Sequence, residues 1–269
     1  MPSRKVGLAL GGGAARGLAH IGVLEVLERA RVPIDMIAGT SIGAFIGALH
    51  AQGKDASQIR NLVLKLTTKK TAFWIDPVLP KTGLIGGRKI ESTLKSIIGD
   101  IEFKDLRLPL ACVATDIITG EEVVIKEGPV WEGIRASSSL PVLFAVAERE
   151  GRYLVDGGLV NTVPVSVLKT MGADFTIAVN VTPDRNEIQI TEPNIFTITM
   201  QTFHIASYQR IRSTLRGADI VIEPRVGHIG LADFHRAKEC ILQGELAAQD
   251  SLLEIRRKYP TGFQNNSPS

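Results

Sequence analysis

Short apolar runs and longer amphipathic stretches alternate along the N-terminal part of the chain. Lys5–Leu10 and Ile34–Gly39 are short, largely apolar and followed by or ending in glycine, which is typical of buried parallel strands. Leu18–Ala30 and Ile42–Gly53 carry apolar residues at helical spacing, and a third helix is predicted over Ala56–Thr67. Because crossover connections between parallel strands are right-handed, this order predicts a parallel sheet with helices on both faces.

The rest of the chain continues these signals without a repeat or a linker. Leu108–Gly128 predicts a strand, a turn and an antiparallel partner, whereas Thr71–Gly87 indicates a long loop or lid. The other predicted elements are a short helix in Val130–Phe144 that breaks at Pro141, a strand, turn and helix over Arg152–Leu168, strands within Asp174–Pro183 and Ala218–Pro224, a loop at Asn186–Asn194, and helices over Ile195–Arg216 and Leu231–Tyr259. We therefore predict an α/β fold with three α/β/α layers and a central, mostly parallel sheet. It forms one domain over residues 5–259, followed by a disordered tail at 260–269.

Composition and charge exclude several classes of protein. The chain has 269 residues, of which 44% are hydrophobic and 22% charged, so it can bury a large core. A net charge of +3 is too small to indicate nucleic acid binding. The sequence has no run of about 18 apolar residues, so we predict no transmembrane helix. Cys112 and Cys240 have neither the pattern of a disulfide framework nor a metal-binding spacing. We expect a cytoplasmic protein, with peripheral membrane contact left open.

The stretch Gly39-Thr40-Ser41-Ile42-Gly43 places a serine between a predicted strand and a predicted helix. This is the context that a G-x-S-x-G nucleophile elbow requires, because side chains at the flanking positions would collide with neighbouring backbone. The free N–H groups at the start of the helix favour negative charge beside Ser41. A serine that only caps a helix in a glycine-rich turn explains the motif equally well.

A second glycine cluster, Gly11-Gly12-Gly13, ends the first predicted strand. Amides at these positions can point at the oxyanion of a tetrahedral intermediate, and the missing Cβ atoms let a substrate carbonyl approach. Arg16 follows in the first helical turn, where it braces the loop, binds an acidic headgroup or lies in solvent. A dinucleotide fingerprint fails because Arg16 occupies its third glycine position, and a Walker loop fails because no lysine follows the glycines.

A catalytic serine needs a base, and histidine is the usual one. His20 and His50 fall inside predicted helices and are expected at the surface or in packing, and His204 lies in a long helix. His228 and His235 are candidates for a Ser–Asp–His triad. However, the serine follows only the second strand, which is not the order of the α/β-hydrolases.

The better candidate for the base is Asp156, which is followed by Gly157 and Gly158. It also ends a short apolar strand, so it belongs to the same edge of the sheet. A partly desolvated aspartate beside a serine can accept its proton. Taken by itself, Asp156 is explained better as part of an ordinary Asp-Gly turn.

Together, the glycine cluster, G-T-S-I-G and D-G-G occur in one order, each where a strand meets a loop. This combination resembles the patatin-like phospholipases, serine acyl hydrolases that use a Ser–Asp dyad. Further segments are similar to the bacterial branch of that family, near the lysophospholipase-like relatives of neuropathy target esterase: Val113–Glu121, Ala136–Ala145, Asp156–Val165, Ala218–Pro224 and Asp233–Glu239. The resemblance covers about Lys5 to Tyr259. Leu10 stands where plant members often have an acidic residue, which leaves the catalytic positions intact.

The resemblance implies a role for each site residue. These are Ser41 as nucleophile, Asp156 as its base, Gly39 and Gly43 as elbow glycines, Gly11, Gly12 and Gly13 as oxyanion donors, and Arg16 as a support for substrate or loop. The implied reaction is hydrolysis of fatty-acyl esters, of the phospholipase A or lysophospholipase type, through an acyl-Ser41 intermediate. It needs no metal and no other cofactor.

The expected partner is a lipid or fatty-acyl ester, and not a nucleic acid. Phe73 and Trp74 in the predicted loop suit an acyl-chain groove. A lysine cluster before them, Lys65, Lys69 and Lys70, favours an anionic lipid surface, although a solvated charge run explains it better. Met200–Gly217 predicts an interfacial helix or a homodimer helix. An alternative function of another class is an interaction or regulatory protein that uses the pocket for binding with little turnover.

Overall fold

The computed structural model describes residues 4–68, 87–184 and 195–260. The predicted loop or lid Thr71–Gly87, including Phe73 and Trp74, lies outside the described residues except for Gly87, which begins a helix; the predicted loop at 186–194 and, apart from residue 260, the predicted tail at 260–269 also lie outside them.

Eight strands within the described residues form one mixed sheet. They are β1 Val6–Leu10, β2 Met36–Thr40, β3 Leu110–Asp116, β4 Glu122–Ile125, β5 Ala147–Arg149, β6 Arg152–Asp156, β7 Phe175–Val179 and β8 Ile220–Ile222. The order is β5-β6-β3-β2-β1-β7-β8, and β4 also pairs with β3. The strands from β3 to β8 in this order are parallel, whereas β4, β5 and β6 make antiparallel pairs. The prediction of a mostly parallel sheet therefore holds for its centre.

Helices cover both faces of the sheet, as predicted. They are α1 Ala19–Arg29, α2 Ile42–Ala51, α3 Ala56–Thr68, α4 Gly87–Ile98, α5 Val130–Ser137, α6 Val165–Thr170, α7 Ile195–Leu215 and α8 Ala237–Lys258. One buried cluster joins α1–α5 and α8 to the sheet, and a second, smaller cluster joins α6 and α7 to its other face. The α/β/α layering of the sequence prediction is confirmed.

Some boundaries differ from the prediction. Helix α4 and strand β5 were not predicted, α5 ends before Pro141, and α8 begins at Ala237 after a short 3₁₀ helix at Phe234–Arg236. Strand β5 has only three residues, which is too short for a period-two pattern to stand out.

The strand register brings the three sequence motifs to one edge of the sheet. Leu10, before the glycine cluster, pairs with Gly39 of the elbow. Thr40 pairs with Val113 of β3, and the next residue of β3, Ala114, pairs with Asp156. Because these positions are level across neighbouring strands, residues that are remote in sequence converge at the carboxyl ends of β1 and β2, where open α/β sheets bind ligands.

Two glycines allow α1 and α8 to pack with their backbones in close approach. A Cβ on Gly22 would overlap the carbonyl of Ile241, and a Cβ on Gly244 would overlap the carbonyl of Ala19. Since the obstructing atoms are backbone atoms inside helices, a small rotamer change cannot relieve the clash. Helix α1 follows the glycine cluster, so this packing also fixes the position of that loop.

We expect Gly244→Ala to destabilise the protein by about 1–3 kcal/mol, because the added methyl group must push two helices apart. Chemical denaturation monitored by circular dichroism measures this change. Gln249→Ala, at an exposed position of the same helix, is the matched control and is expected to stay within about 0.5 kcal/mol of the parent. Equal stabilities of the two variants would contradict the role given to the close approach.

Candidate functional site

Ser41 lies in a strained turn between β2 and α2. Its φ of 55° and ψ of −123° are unusual for a residue with a side chain, and the residue is 6% exposed. A Cβ at Gly39 would lie 2.6 Å from the backbone nitrogen of Ala44, and one at Gly43 would overlap the carbonyl oxygen of Leu10. Both elbow glycines are therefore required by the packing of this turn.

The backbone of Ser41 is held by a hydroxyl group that sequence reasoning did not single out. The Ser41 N–H donates to Ser137 Oγ at 2.8 Å, and the Ser137 hydroxyl donates to the carbonyl of Val113 at 2.6 Å. Ser137 is fully buried at the end of α5. The resemblance had marked the segment Ala136–Ala145 as part of the site region, but nothing in it identified which serine mattered.

Asp156 ends β6 as a buried carboxylate, 7% exposed. Its Oδ1 accepts a hydrogen bond from the N–H of Gly158 at 2.8 Å, whereas its Oδ2 has no hydrogen-bond partner of ordinary geometry among the described residues. Burial raises the pKa of Asp156 to about 6, against the opposing effects of the nearby Ser41 hydroxyl and the Gly158 N–H. The hydroxyl is therefore near enough to stabilise the charge, although the two groups do not form a tight hydrogen bond. Such contacts are often loose in the absence of substrate.

The segment after Asp156 contacts the other two motifs. The Thr40 hydroxyl donates to the carbonyl of Asn161 at 2.9 Å, and the N–H of Gly12 donates to the carbonyl of Thr162 at 3.0 Å. The carbonyl of Asp156 itself accepts from the Thr115 hydroxyl at 2.9 Å. These bonds bring the elbow, the carboxylate and the glycine cluster together.

The glycine cluster requires a correction of the predicted oxyanion donors. The N–H of Gly11 donates to the carbonyl of Val179 at 3.1 Å, and that of Gly12 is used by Thr162, so neither is free for a substrate. The N–H of Gly13 makes no hydrogen bond within the described residues. A Cβ at Gly12 would lie 3.5 Å from the Ser41 Cβ, which shows how closely the loop approaches the serine. The N–H groups of Gly11 and Gly12 thus hold the loop in place, whereas the N–H of Gly13 is not engaged by any described residue.

Arg16 and His20 support this loop from within the protein. The Arg16 side chain donates to the carbonyls of Ile229 and Gly227 at 2.6 Å and 3.3 Å and is buried, which agrees with bracing and excludes the solvated alternative. His20 Nε2 lies 2.7 Å from the carbonyl oxygen of Gly11. Burial lowers the pKa of His20 to about 4, so the neutral ring donates to that oxygen.

The candidate triad histidines lie at exposed positions. His228 Nε2 lies 2.7 Å from Glu239 Oε1, and His235 is exposed. Among the described residues, neither ring makes a hydrogen bond or ion pair with Ser41 or Asp156. Within the described residues, no three His, Cys, Asp or Glu side chains cluster as ligands for a metal ion.

A family model described as patatin-like phospholipase matches residues 8–169, more than half of the chain. The chain belongs to the patatin-like phospholipase family. The matched region of this patatin-like chain contains the glycine cluster, Ser41 and Asp156.

Curated relatives place the chain in the NTE branch of the family. It is 36% identical over 194 residues to an uncharacterised NTE family protein of Mycobacterium tuberculosis, covering 72% of this chain and 54% of the relative. It is 38% identical over 182 residues to human patatin-like phospholipase domain-containing protein 6, covering 65% of this chain and 13% of the relative. It is 37% identical over 181 residues to lysophospholipase nte1 of Emericella nidulans, covering 66% of this chain and 12% of the relative. The patatin-like chain thus spans about half the length of the mycobacterial relative and far less of the others.

A solved structure shares the fold. The crystal structure of VipD from Legionella pneumophila matches 93% of this chain and 66% of its own chain, with a TM-score of 0.54 and 13% sequence identity. Among the described helices, none is both long enough and apolar enough to span a bilayer.

We expect Ser137→Ala to lower kcat by about 10- to 100-fold with little change in KM, because a mispositioned nucleophile impairs the reaction more than binding. Ester turnover and the rate of labelling by a fluorophosphonate probe measure this effect. Ser138→Ala is the matched control, since this neighbouring hydroxyl makes no side-chain hydrogen bond within the described residues. Equal kcat values for the two variants, at equal thermal stability, would remove Ser137 from the site.

Proposed function

We propose that this protein is a serine esterase that hydrolyses fatty-acyl esters of lipids, of the phospholipase A or lysophospholipase type. The observation that supports this proposal best is the approach of two buried polar groups, the Ser41 hydroxyl and the Asp156 carboxylate. Burying such groups without strong pairing is unfavourable for folding, and a reaction at this point gives a reason for it. The family and the names of the lysophospholipase relatives point to the same chemistry.

In the proposed first step, Ser41 Oγ attacks the acyl carbonyl while the Asp156 carboxylate takes the hydroxyl proton. The negative charge that develops on the carbonyl oxygen is stabilised by the N–H of Gly13 and by the amino end of α2. Asp156 then delivers its proton to the departing alcohol, which leaves Ser41 acylated. A pKa of about 6 suits both halves of this exchange, because the group is charged at neutral pH and still basic enough to accept a proton.

In the second step, Asp156 deprotonates a water molecule that attacks the acyl group on Ser41. The carboxylate recovers its charge when the fatty acid leaves and Ser41 regains its proton. Oδ2 of Asp156, which makes no hydrogen bond of ordinary geometry among the described residues, is the oxygen for this proton transfer, since Oδ1 is held by the Gly158 N–H. Peripheral contact with a lipid surface, a cytoplasmic location and homodimer formation stay predictions from the sequence.

We expect a fluorophosphonate probe to label the wild-type protein at Ser41 and to leave Ser41→Ala unlabelled. Turnover of p-nitrophenyl esters by this variant should fall by at least about 10³-fold, because the nucleophile is gone. A thermal melt of Ser41→Ala controls for folding. A wild-type protein that binds esters but is neither labelled nor active would favour the alternative of a regulatory binding protein.

We expect Asp156→Asn to lower turnover by about 10²–10⁴-fold, since an amide cannot accept the serine proton. In the wild type, kcat/KM should lie on a plateau above pH 6 and fall about tenfold per pH unit below it, because protonated Asp156 is inactive. His228→Ala and His235→Ala serve as controls and should keep wild-type turnover. An inactive histidine variant, or an acid limb near pH 4, would contradict Asp156 as the base.

The same raised pKa makes a prediction for stability. The folded protein holds the Asp156 proton more tightly than the unfolded chain, whose carboxyl titrates near 3.8. The stability contributed by this group is therefore present below pH 3.8 and is lost as the pH rises to about 6. Asp156→Asn, which carries no charge, should melt at a higher temperature than the wild type at pH 8. An unchanged melting temperature would argue that the carboxylate is well solvated.

A further inference from the structure

A cavity of about 550 Å³ opens beside the carboxyl end of α5. Its wall is formed by α4, α5 and the residues around β5, and includes Trp131, Arg135 and Ala145. This volume is in the range of pockets that bind small ligands. None of the roles given above to Ser41, Asp156 or the glycine cluster uses this cavity.

Arg135 is a buried cation in the wall of this cavity and is 8% exposed. Its Nη1 donates to Ser139 Oγ, and its Nη2 donates to the carbonyl of Ala145 at 2.6 Å. No carboxylate of the described residues lies within ion-pair distance of it. Burial lowers the pKa of Arg135, because desolvation of the charge is unfavourable and the field of Glu91 offsets it only in part. A guanidinium carries more N–H donors than these two bonds use.

The acidic side chains around the cavity are already paired or exposed. Glu132 and Glu150 each lie 3.2 Å from Arg149, and Glu91 lies 2.7 Å from Lys95. Glu148 is exposed to solvent, where its field is screened. Arg135 is thus a buried charge with no carboxylate of the described residues within ion-pair distance; Glu91 acts on it only from farther away, and an anionic ligand would supply a direct counter-ion.

We propose that this cavity binds the phosphate group of a lipid headgroup through the guanidinium of Arg135. A planar guanidinium matches the oxygens of a phosphate with two parallel hydrogen bonds. The position of the cavity supports a lipid source, because α5 ends in Ser137, which holds the Ser41 N–H, and the carbonyl of Ser139 accepts the N–H of Asp156 at 3.0 Å. The assignment to a lipid rests on the proposed function, whereas phosphate binding itself does not.

The binding test is a titration of the whole protein with inorganic phosphate and with a water-soluble glycerophosphodiester, followed by calorimetry. We expect saturable binding by the wild type and at least about tenfold weaker binding by Arg135→Gln, since charge-assisted hydrogen bonds are lost. Arg135→Lys should bind with intermediate affinity, because it keeps the charge but not the planar donors. Arg29→Gln, an exposed arginine at the end of α1, is the matched control and should bind like the wild type.

Arg135 also holds Ser139 and Ala145, so a second variant protects the test against misfolding. Glu91→Gln removes the carboxylate whose field acts on Arg135, and it should bind phosphate a few-fold more tightly. Wild-type protein that binds neither ligand, or Arg135→Gln that folds and binds with unchanged affinity, would overturn the anion site.

The source of the phosphate is tested by competition. The glycerophosphodiester should inhibit hydrolysis of a lysophospholipid competitively and leave turnover of a p-nitrophenyl ester unchanged. Phosphate binding without competition would overturn the headgroup assignment and leave a site for free phosphate. Phosphate titration and fluorophosphonate labelling of the same wild-type protein separate the two proposals, because phosphate binding by a wild type that is neither labelled nor active would refute the esterase and not the anion site.

Discussion

Two carbonyl oxygens in the segment after Asp156 hold the other two parts of the site. The Asn161 carbonyl accepts the hydroxyl of Thr40 beside Ser41, and the Thr162 carbonyl accepts the N–H of Gly12 in the glycine cluster. Because the segment begins at the Asp156 carboxylate, its backbone links the proposed base, the elbow and the glycine cluster through a few short bonds. A shift of any one part must therefore break a buried hydrogen bond or move the others, and this constraint gives the site a defined geometry.

Burial provides the reactivity of the site and opposes its stability. The pKa of Asp156 is raised because the carboxylate lies among buried strands, and a stronger base is the result. The same burial makes the charged form unfavourable, and Ser41 adds a strained φ of 55°. The surrounding core offsets these terms, since β1, β2 and β3 are buried along their whole lengths. The buried sheet can thus hold Ser41 in a strained backbone conformation and Asp156 in a buried position, both of which are unfavourable by themselves.

The sequence predicted the parts of the site that depend on local chemistry. The tight turns at Ser41 and Asp156 could be predicted from the adjacent glycines, because the steric limits of a turn act within a few residues. The antiparallel pairing of β6 with β3 could not be predicted in the same way, because it depends on contacts between distant segments. Without that pairing, Asp156 was only a carboxylate in a common turn.

Hydrogen-bond partners were the other part that the sequence left undetermined. Gly11 and Gly12 looked equivalent to Gly13, but the acceptors that engage their N–H groups come from Val179 and Thr162, far along the chain. The sequence could not tell whether Arg16 is exposed or buried, because the carbonyls that accept its hydrogen bonds belong to the loop before α8. A residue type reveals what a group can donate or accept, whereas only the fold reveals whether that capacity is already used.

The carboxyl end of α5 contacts both the Ser41 turn and the cavity lined by Arg135. The Ser137 hydroxyl accepts the N–H of Ser41, while Arg135, which lines the cavity, is joined to Ser139 by hydrogen bonds. These residues lie within one helical turn and its cap, so their separation is fixed by helix geometry and not by a loop. If a headgroup phosphate occupies this cavity, α5 determines how far it lies from the carbonyl that the proposed nucleophile Ser41 would attack. The choice among ester positions on a glycerol backbone would then be made by a rigid helix end.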